Sequence, residues 1–512
     1  MTHRRPLLAC SPFFPISTSK MASVDPQRTA QIREVLAQTL SPDAATRRAV
    51  SFDCRVLHEA FLLLNNPAHK FPTRTLRSNP FVSLSISSPH SLPHASVSLL
   101  HQAEQRLTEA QKIDGHPLVV LHIVASDSAA DAAVRQAAAV HFKNICKKGW
   151  DEHSEHGTEG ITISSTDRNL IKNHLVDLMC TVPPQIQAQC SEAISLIAKV
   201  DFPKNWDNLL PDLIQRFNSP DPNVVSGVLV TANSILRRFR YVQRSDDLYR
   251  DILYVLERLQ APLLTLFIQT GKAIEATPND PAQLKPRFAS LRSMCRIFYS
   301  LNWQDLPEYF EDHMDQWMKE FARYLQYQNP VLTDADEEDE PSPIDVLQAA
   351  IVENLNLYAN KDEEPFLPFL PEFTGLVWNL LMSLTDKPKH DTLATTSIRF
   401  LSSLVGKLMH KNLFNNPDTL RNIIAKIVIP NIMIRETDEE KFEDDPHDYI
   451  LGDMEGSDTE SRRKVSQELL RAMCRQFEAE TTGICREHMA SMLESFKRDP
   501  AGQWKQKDAA VS

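Results

Sequence analysis

Glycine is scarce in this chain, with 12 among 512 residues. Sheet-rich folds use glycine in hairpin turns and bulges, so the shortage argues against them. Long apolar runs are missing too, and no run reaches the roughly 18 residues of a membrane-crossing candidate. Positive charge is in deficit: 55 Lys and Arg stand against 67 Asp and Glu, a net charge of −12. A general nucleic-acid binder carries the opposite balance. No glycine-rich phosphate loop, nucleophile elbow or His-Glu-x-x-His is present. The acids at 337–340 lack the spaced ligands and the glycine of a calcium loop. The eight cysteines show no metal spacing, and Cys180, Cys190 and Cys295 fall in apolar helical patterns, as reduced core thiols do. The expectation is a non-enzymatic protein with no metal and no cofactor of its own.

Helix is what the chain has in abundance. Most of its 33 prolines sit at the ends of apolar-periodic segments, as they do between helices. The stretch 131–150 reads DAAVRQAAAVHFKNICKKGW, and its Val134, Ala138, Phe142 and Ile145 recur at three- and four-residue steps. That spacing makes one apolar stripe, and Ala137, Ala138 and Ala139 let another helix approach closely. Lys143, Asn144, Lys147 and Lys148 fall largely off the stripe as a basic, amide-bearing end. Further helices are predicted over 166–180 (capped by Thr166), 184–200, 209–217, 223–241, 245–270, 285–301, 306–327, 342–358, 366–384, 391–409 and 417–429. Pairs recur about every 40 residues, the period of HEAT repeats. Each pair has an apolar face that only a neighbouring pair can cover. The fold expected is therefore all-α, an α-solenoid (superhelix) of HEAT-type helical hairpin repeats.

Two stretches depart from this pattern. Residues 1–20 are basic and rich in Ser, Thr and Pro, a weak transit-peptide pattern or sequence ahead of a working start at Met21. Residues 50–102 hold five of the 17 histidines and only two acids, Asp53 and Glu59, with no lasting period. Our hypothesis is a retained intron, because a Val codon can begin with GT and a Gln codon can be CAG. Excision joins SPDAATRRA to AEQRLTEAQ in one continuous helix with Ser41 as N-cap. The alternative is a genuine surface insertion; finding the segment in most mature transcripts would sink the intron hypothesis. The domain organisation expected is an extra segment at 1–20, an N-terminal domain over 21–150 interrupted at 50–102, and a HEAT array over 151–512. The chain stops at QWKQKDAAVS without a visible capping repeat, so the array is expected to be truncated.

Acid is concentrated in two runs. Residues 333–340 hold six acids, and 436–448 hold eight with a single lysine. Each reads either as a solvated linker or as a loop that meets a basic partner. The second is the better partner loop, because it contains Phe442 and is followed by Tyr449. Its acids include Asp438, Glu439, Glu440, Glu443, Asp444 and Asp445.

The runs AAAVHFKNICKKGW and ISLIAKVDFPKNWDNLLPDLIQRF resemble the importin-β superfamily of nuclear transport receptors. In that family an Asp/Glu-Phe-Pro-x-x-Trp turn joins early HEAT repeats, and the matching residues here are Asp201, Phe202, Pro203 and Trp206. The runs NWQDLPEYFEDHMDQWMKEF, FLPFLPEFTGLVWNLLMSL and IVIPNIMIRETDEEKFEDDPHDYI are similar to the exportin-2 family within it. The resemblance covers 21–49 and 103–512. It implies a carrier that binds Ran-GTP and importin-α in the nucleus and returns importin-α to the cytoplasm. Hydrolysis on Ran then releases both, so GTP enters only as carried by Ran. Nucleoporins are implied as pore partners, with shuttling between nucleus and cytoplasm at the nuclear envelope, and no nucleic acid, membrane insertion or obligate homo-oligomer. Ran contact is implied for the early inner helices, hence for Lys143, Asn144, Lys147 and Lys148. Lys147 and Lys148 equally suit a structural role at a helix C-terminus. The 438–445 acids are a second candidate surface, and Asp201, Phe202, Pro203 and Trp206 read as fold markers. Three alternatives stay open: a general HEAT scaffold, a related receptor that imports other cargo, or a truncated inactive product.

Overall fold

The computed structural model describes residues 25–40, 94–126, 132–151, 163–333, 340–361, 363–453 and 460–511. The segment 1–20, the start at Met21, the Ser41 cap, residues 50–93 of the interruption and 334–339 of the first acidic run lie outside them. Among the described residues every regular element is a helix. No described helix is long and apolar enough to cross a membrane. The chain divides into two compact units, Met1–Trp206 and Asp207–Ser512. The expected domain boundary at 150 falls inside the first.

In the first unit α1 (Pro26–Thr39) starts on Asp25, whose side chain accepts from Gln27 N at 2.9 Å. Pro26 follows the cap, where its missing N–H costs nothing. α2 (His94–Ala110) packs on α1 and begins inside the 50–102 interruption. α3 (His116–Ala125) buries Val119, Val120, Leu121, Ile123 and Val124, residues on several sides, as a helix enclosed by others must. α4 (Ala132–Gly149) buries the expected stripe of Val134, Ala138, Phe142 and Ile145. It packs on α3 and on α6 (Pro184–Asp201), and α6 also receives α5 (Ser165–Thr181). Ser164 caps α5, accepting from Asp167 N at 3.2 Å, where Thr166 was expected. Cap residues sit just before the first helical turn, and Thr166 is already inside it.

The second unit is a two-layered stack. One layer runs α8 (Pro222–Leu236), α10 (Pro281–Leu301), α12 (Pro343–Asn360), α14 (Asp391–Val405) and α18 (Arg462–Gln476), each packed on the next. Flanking it are α7 (Leu209–Gln215), α9 (Asp246–Ala276), α11 (Met314–Leu325) and α13 (Leu370–Ser383). Beyond them lie α15 (Pro417–Ile423), α16 (Glu436–Asp444), α17 (Pro446–Asp453), α19 (Glu478–Arg498) and α20 (Trp504–Val511). Aromatic rings fill the seam between layers. Phe298 of α10 lies 4.5 Å from Trp317 and 5.6 Å from Phe321 of α11, and 6.0 Å from Tyr358 of α12, between ring centroids. Offset and edge contacts of this kind suit the ring quadrupoles.

The repeat is uneven, matching the expected period at one step and exceeding it at another. Asn354 Nδ2 donates to Cys295 O across 59 residues, while Asn356 Nδ2 donates to Thr396 O across 40. Several expected helices are also shorter or broken. The 306–327 helix is two, Glu308–Asp312 and α11, parted at His313, whose ring stacks on Tyr309 at 4.0 Å. The 391–409 helix ends at Val405, and 417–429 passes through a π-turn at Ile424–Val428. Pro262 and Pro286 lie inside α9 and α10, against the expectation of prolines at ends.

Candidate partner-binding surfaces

The first candidate surface is the C-terminal end of α4. Asn144, Lys147 and Lys148 are exposed there, in the turn where lysine charge meets the negative helix end. Lys143 is held differently: it is half-buried, with its Nζ 3.4 Å from Glu192 of α6. Beneath this end lies a polar pair that sequence reasoning missed. His116 Nε2 and His141 Nε2 are 3.1 Å apart, so one ring donates and the other accepts. Burial, with the neighbouring His141 and Arg28, pulls His116 from 6.5 down to about 3. Burial, with Lys148, pulls His141 down to about 4. Both rings are therefore neutral near pH 7, and the apolar context of both residues is the only signal the sequence carried.

The turn after α6 brings Asp201, Phe202, Pro203 and Trp206 together. Phe202 and Trp206 are buried, and the Phe202–Pro203 peptide is cis. Asp201 is buried too, and Lys172 of α5 reaches it at 3.0 Å while also donating to Asn205 O at 2.8 Å. One ammonium thus ties the turn to the preceding helix. A buried carboxylate needs such a partner.

The second acidic run is helical, where a loop was expected. α16 carries Asp438, Glu439, Glu440, Glu443 and Asp444, and Asp445 joins it to α17. Acids in a first turn complement the positive helix end, so the run that repels itself as coil is stabilised as helix. Three of the six candidates hold the fold. Asp438 accepts from Arg435 N at 3.0 Å and Arg435 Nε at 3.1 Å, closing the start of α16. Glu439 pairs with Lys505 of α20 at 3.0 Å. Asp445 accepts from His447 N and Asp448 N, at 3.1 and 3.0 Å, at the start of α17. Glu440, Glu443 and Asp444 are exposed.

Behind α16 stands an ionic hub. Asp391 Oδ1 accepts from Arg435 Nη1 and from Arg462 Nε, both at 2.7 Å. Arg462 further donates to Thr385 O at 2.9 Å and Lys387 O at 3.1 Å. Burial opposes the Asp438 charge, but hydrogen bonds from Arg435 outweigh it and hold the carboxyl below its ordinary value. Burial likewise opposes the Arg435 charge, and Asp391 and Asp438 override it and raise the guanidinium.

Burial pushes the Cys180 thiol up to about 11 and Cys190 to about 12, away from the reactive thiolate. Among the described residues no group of three or more His, Cys, Asp or Glu is placed to hold a metal ion. The surfaces can offer charge, amides and rings to a protein partner.

Comparison with known proteins agrees with that character. The family model described as Cse1 matches residues 235–512, more than half of the chain. The importin-beta N-terminal domain matches 103–181, beginning directly after the 50–102 interruption. Exportin-2 of Xenopus laevis is 39% identical over 409 residues, covering 80% of this chain and 42% of that protein. Exportin-2 of Homo sapiens is 38% identical with the same coverage. The solved structure of the exportin Cse1 in its cargo-free, cytoplasmic state has a TM-score of 0.74 at 37% identity, covering 80% of this chain and 44% of that one. Importin beta, solved in an ammonium sulfate condition, has a TM-score of 0.54 at 15% identity over 94% of this chain and 45% of that one, a likeness of fold alone. The chain thus spans less than half the length of the relatives it matches. With its all-α, HEAT-type architecture and its identity to exportin-2, the chain belongs to the Cse1 (exportin-2) family of the karyopherins.

Proposed function

We propose that this chain acts as a nuclear export receptor, binding Ran-GTP and importin-α together and carrying importin-α to the cytoplasm. The observation that carries this reading is the 38–39% identity to exportin-2 over 409 residues. No bond is made or broken by the chain itself; GTP hydrolysis takes place on Ran and ends the complex. On this reading Asn144, Lys147 and Lys148 face Ran from the end of α4, and Lys143 supports them through Glu192. Glu440, Glu443 and Asp444 form a second, acidic surface for a basic patch on either partner. Charge complementarity there governs association rate and specificity more than affinity. Small shifts between stacked helix pairs add along such an array, and two ligands that favour the same arrangement bind cooperatively. The receptor would shuttle through the pore, with nucleoporins as transient partners.

The test is a pull-down with importin-α and with Ran loaded with GTP or GDP. It is run on the full chain and on a version lacking residues 50–102. Capture of Ran-GTP but not Ran-GDP supports the exporter reading, and capture by the shortened version alone supports the intron hypothesis as well. Weak importin-α capture beside firm Ran-GTP capture assigns the remaining cargo contacts to the part of the relatives this chain does not match. Absence of Ran-GTP capture by both versions overturns the exporter reading in favour of a general HEAT scaffold. Loss of importin-α when Ran-GTP is added points instead to an importer.

A further inference from the structure

The second unit carries an arginine-rich strip that neither the α4 end nor the acidic helix includes. Its centre is α10, where Arg292, Arg296 and Tyr299 follow one another at three- and four-residue steps, with Trp303 just past the helix end. Arg240, just past α8, lays its guanidinium 4.5 Å from the Tyr299 ring centroid. It also donates to Ser300 Oγ and to Arg296 O, both at 2.9 Å. Tyr299 and Trp303 lie ring to ring at 5.4 Å, and Trp303 is 36% exposed. On the other side α12 presents Glu353 and Asn356, and α14 presents Arg399. Arg296 and Glu353 face each other across α10 and α12, and α14 packs on α12 in the same layer.

The strip has more positive charge than it can satisfy. Arg292 is exposed and makes no hydrogen bond or ion pair among the described residues. Arg296 comes no nearer to Glu353 than 3.7 Å, and its Nε is buried without an acceptor. The Asn356 Oδ1 nearby is buried without a donor. Arg399 does have a partner, Glu460, at 2.5 Å. Four arginines therefore face two glutamates in a chain whose total charge is −12.

We propose that this strip docks an acidic, extended peptide segment of a partner protein, with Arg240, Arg292 and Arg296 taking carboxylates and Tyr299 and Trp303 taking an apolar or aromatic side chain. Guanidinium forks match carboxylates in two parallel hydrogen bonds, which an ammonium cannot do. A peptide fits better than a nucleic acid. Glu353 and Glu460 interrupt the strip, and a peptide can set neutral residues opposite them, whereas a phosphate chain carries charge at every step. The proposal requires neither Ran nor importin-α, so it stands or falls apart from the exporter reading.

Fluorescence anisotropy on the full chain decides it. The probes are a fluorescein-labelled peptide alternating Glu with Phe and Gly, the same peptide with Gln for Glu, and labelled oligothymidylate. The Glu peptide is expected to bind at least about tenfold more tightly than the Gln peptide. Arg292→Glu with Arg296→Glu should abolish that difference, and the paired lysine variant should fall between, because charge remains while the fork is lost. Arg498→Glu makes the charge change of the single Arg292→Glu at an exposed site on α19 and should leave binding unchanged. If the double variant melts differently by circular dichroism, the single Arg292→Glu decides, since that side chain is exposed. Equal binding of the Glu peptide to wild type and variants overturns the proposal, as does no binding. Oligothymidylate that binds as tightly as the Glu peptide also overturns it, and makes the strip a general polyanion surface.

Discussion

In the first unit the buried polar pair His116–His141 stays neutral, and in the second unit Arg435 and Arg462 are joined to Asp391 in ion pairs. Both sit beneath a surface proposed to meet a partner. The histidines have one hydrogen bond between them and cationic neighbours, Arg28 and Lys148, so the cheapest state is the uncharged one. Asp391 is shared by two arginines, and the carbonyls of Thr385, Asp386 and Lys387 take further guanidinium donors. What decides whether a buried group keeps its charge is the number of opposite partners that burial brings along.

Removing the shared anion should show this most strongly. Asp391→Ala leaves two mostly buried guanidinium groups without their common partner, and we expect a loss of roughly 3 kcal/mol or more. Hydrogen exchange should show it as loosening of α14, α16 and α18; a change below about 0.5 kcal/mol, the range of surface substitutions, would mean the hub contributes little. Acid separates the two networks next. The folded values of about 4 and about 3 for His141 and His116 lie below the ordinary 6.5. Unfolding in that window therefore takes up protons, so the stability of the first unit is full above pH about 6.5 and declines as pH falls toward about 4. Asp438 is shifted below an ordinary carboxyl, so the hub keeps its contribution above pH about 4 and loses it only further down. Exchange at pH about 5 should thus rise in α3 and α4 before it rises in α16. Simultaneous loosening would break the distinction.

A charged pair within the first unit gives a smaller test. Lys172→Met leaves Asp201 buried without its cation, and we expect about 1–3 kcal/mol of lost stability, read by urea unfolding. An unchanged midpoint would mean water reaches Asp201. The least effect on folding is expected at the exposed acids of α16. Glu440→Gln with Glu443→Gln should change stability by less than about 0.5 kcal/mol. The same pair should slow association with a basic partner, and an unchanged on-rate would remove α16 from the interface.

Much of the helical order is visible in the residue pattern, because local signals mark it. Pro184 in a first turn and the alternation of Ile186, Cys190, Ile194 and Ile197 fix α6 to within a residue of its expected end. Where packing decides instead, the pattern misleads. The break at His313 owes nothing to glycine or proline at that position; it accompanies the stacking of His313 on Tyr309. The acidic run reads as coil because its neighbours in sequence repel it. Its helix is held by Asp391, 44 residues earlier. The arginine strip is hidden for the same reason. Arg240 and Arg296 are 56 residues apart, and only the longer repeat through the 31-residue α9 sets them side by side. A search at the expected period of about 40 passes over them.

The moorings of α16 have a consequence for whatever meets it. Arg435 anchors its first turn to Asp391 and Asp438, and Lys505 holds Glu439 from α20. Glu440, Glu443 and Asp444 are then less a diffuse cloud than marks on a ruler, set at fixed angles around one short rod. A visitor with matching cations would find the pattern already laid out and give up little freedom of the host in engaging it. One with mismatched spacing could not coax the rod into a new shape without first lifting its anchors. The same three ion pairs that keep this acid-rich stretch from dispersing therefore act as a filter on shape as well as on sign.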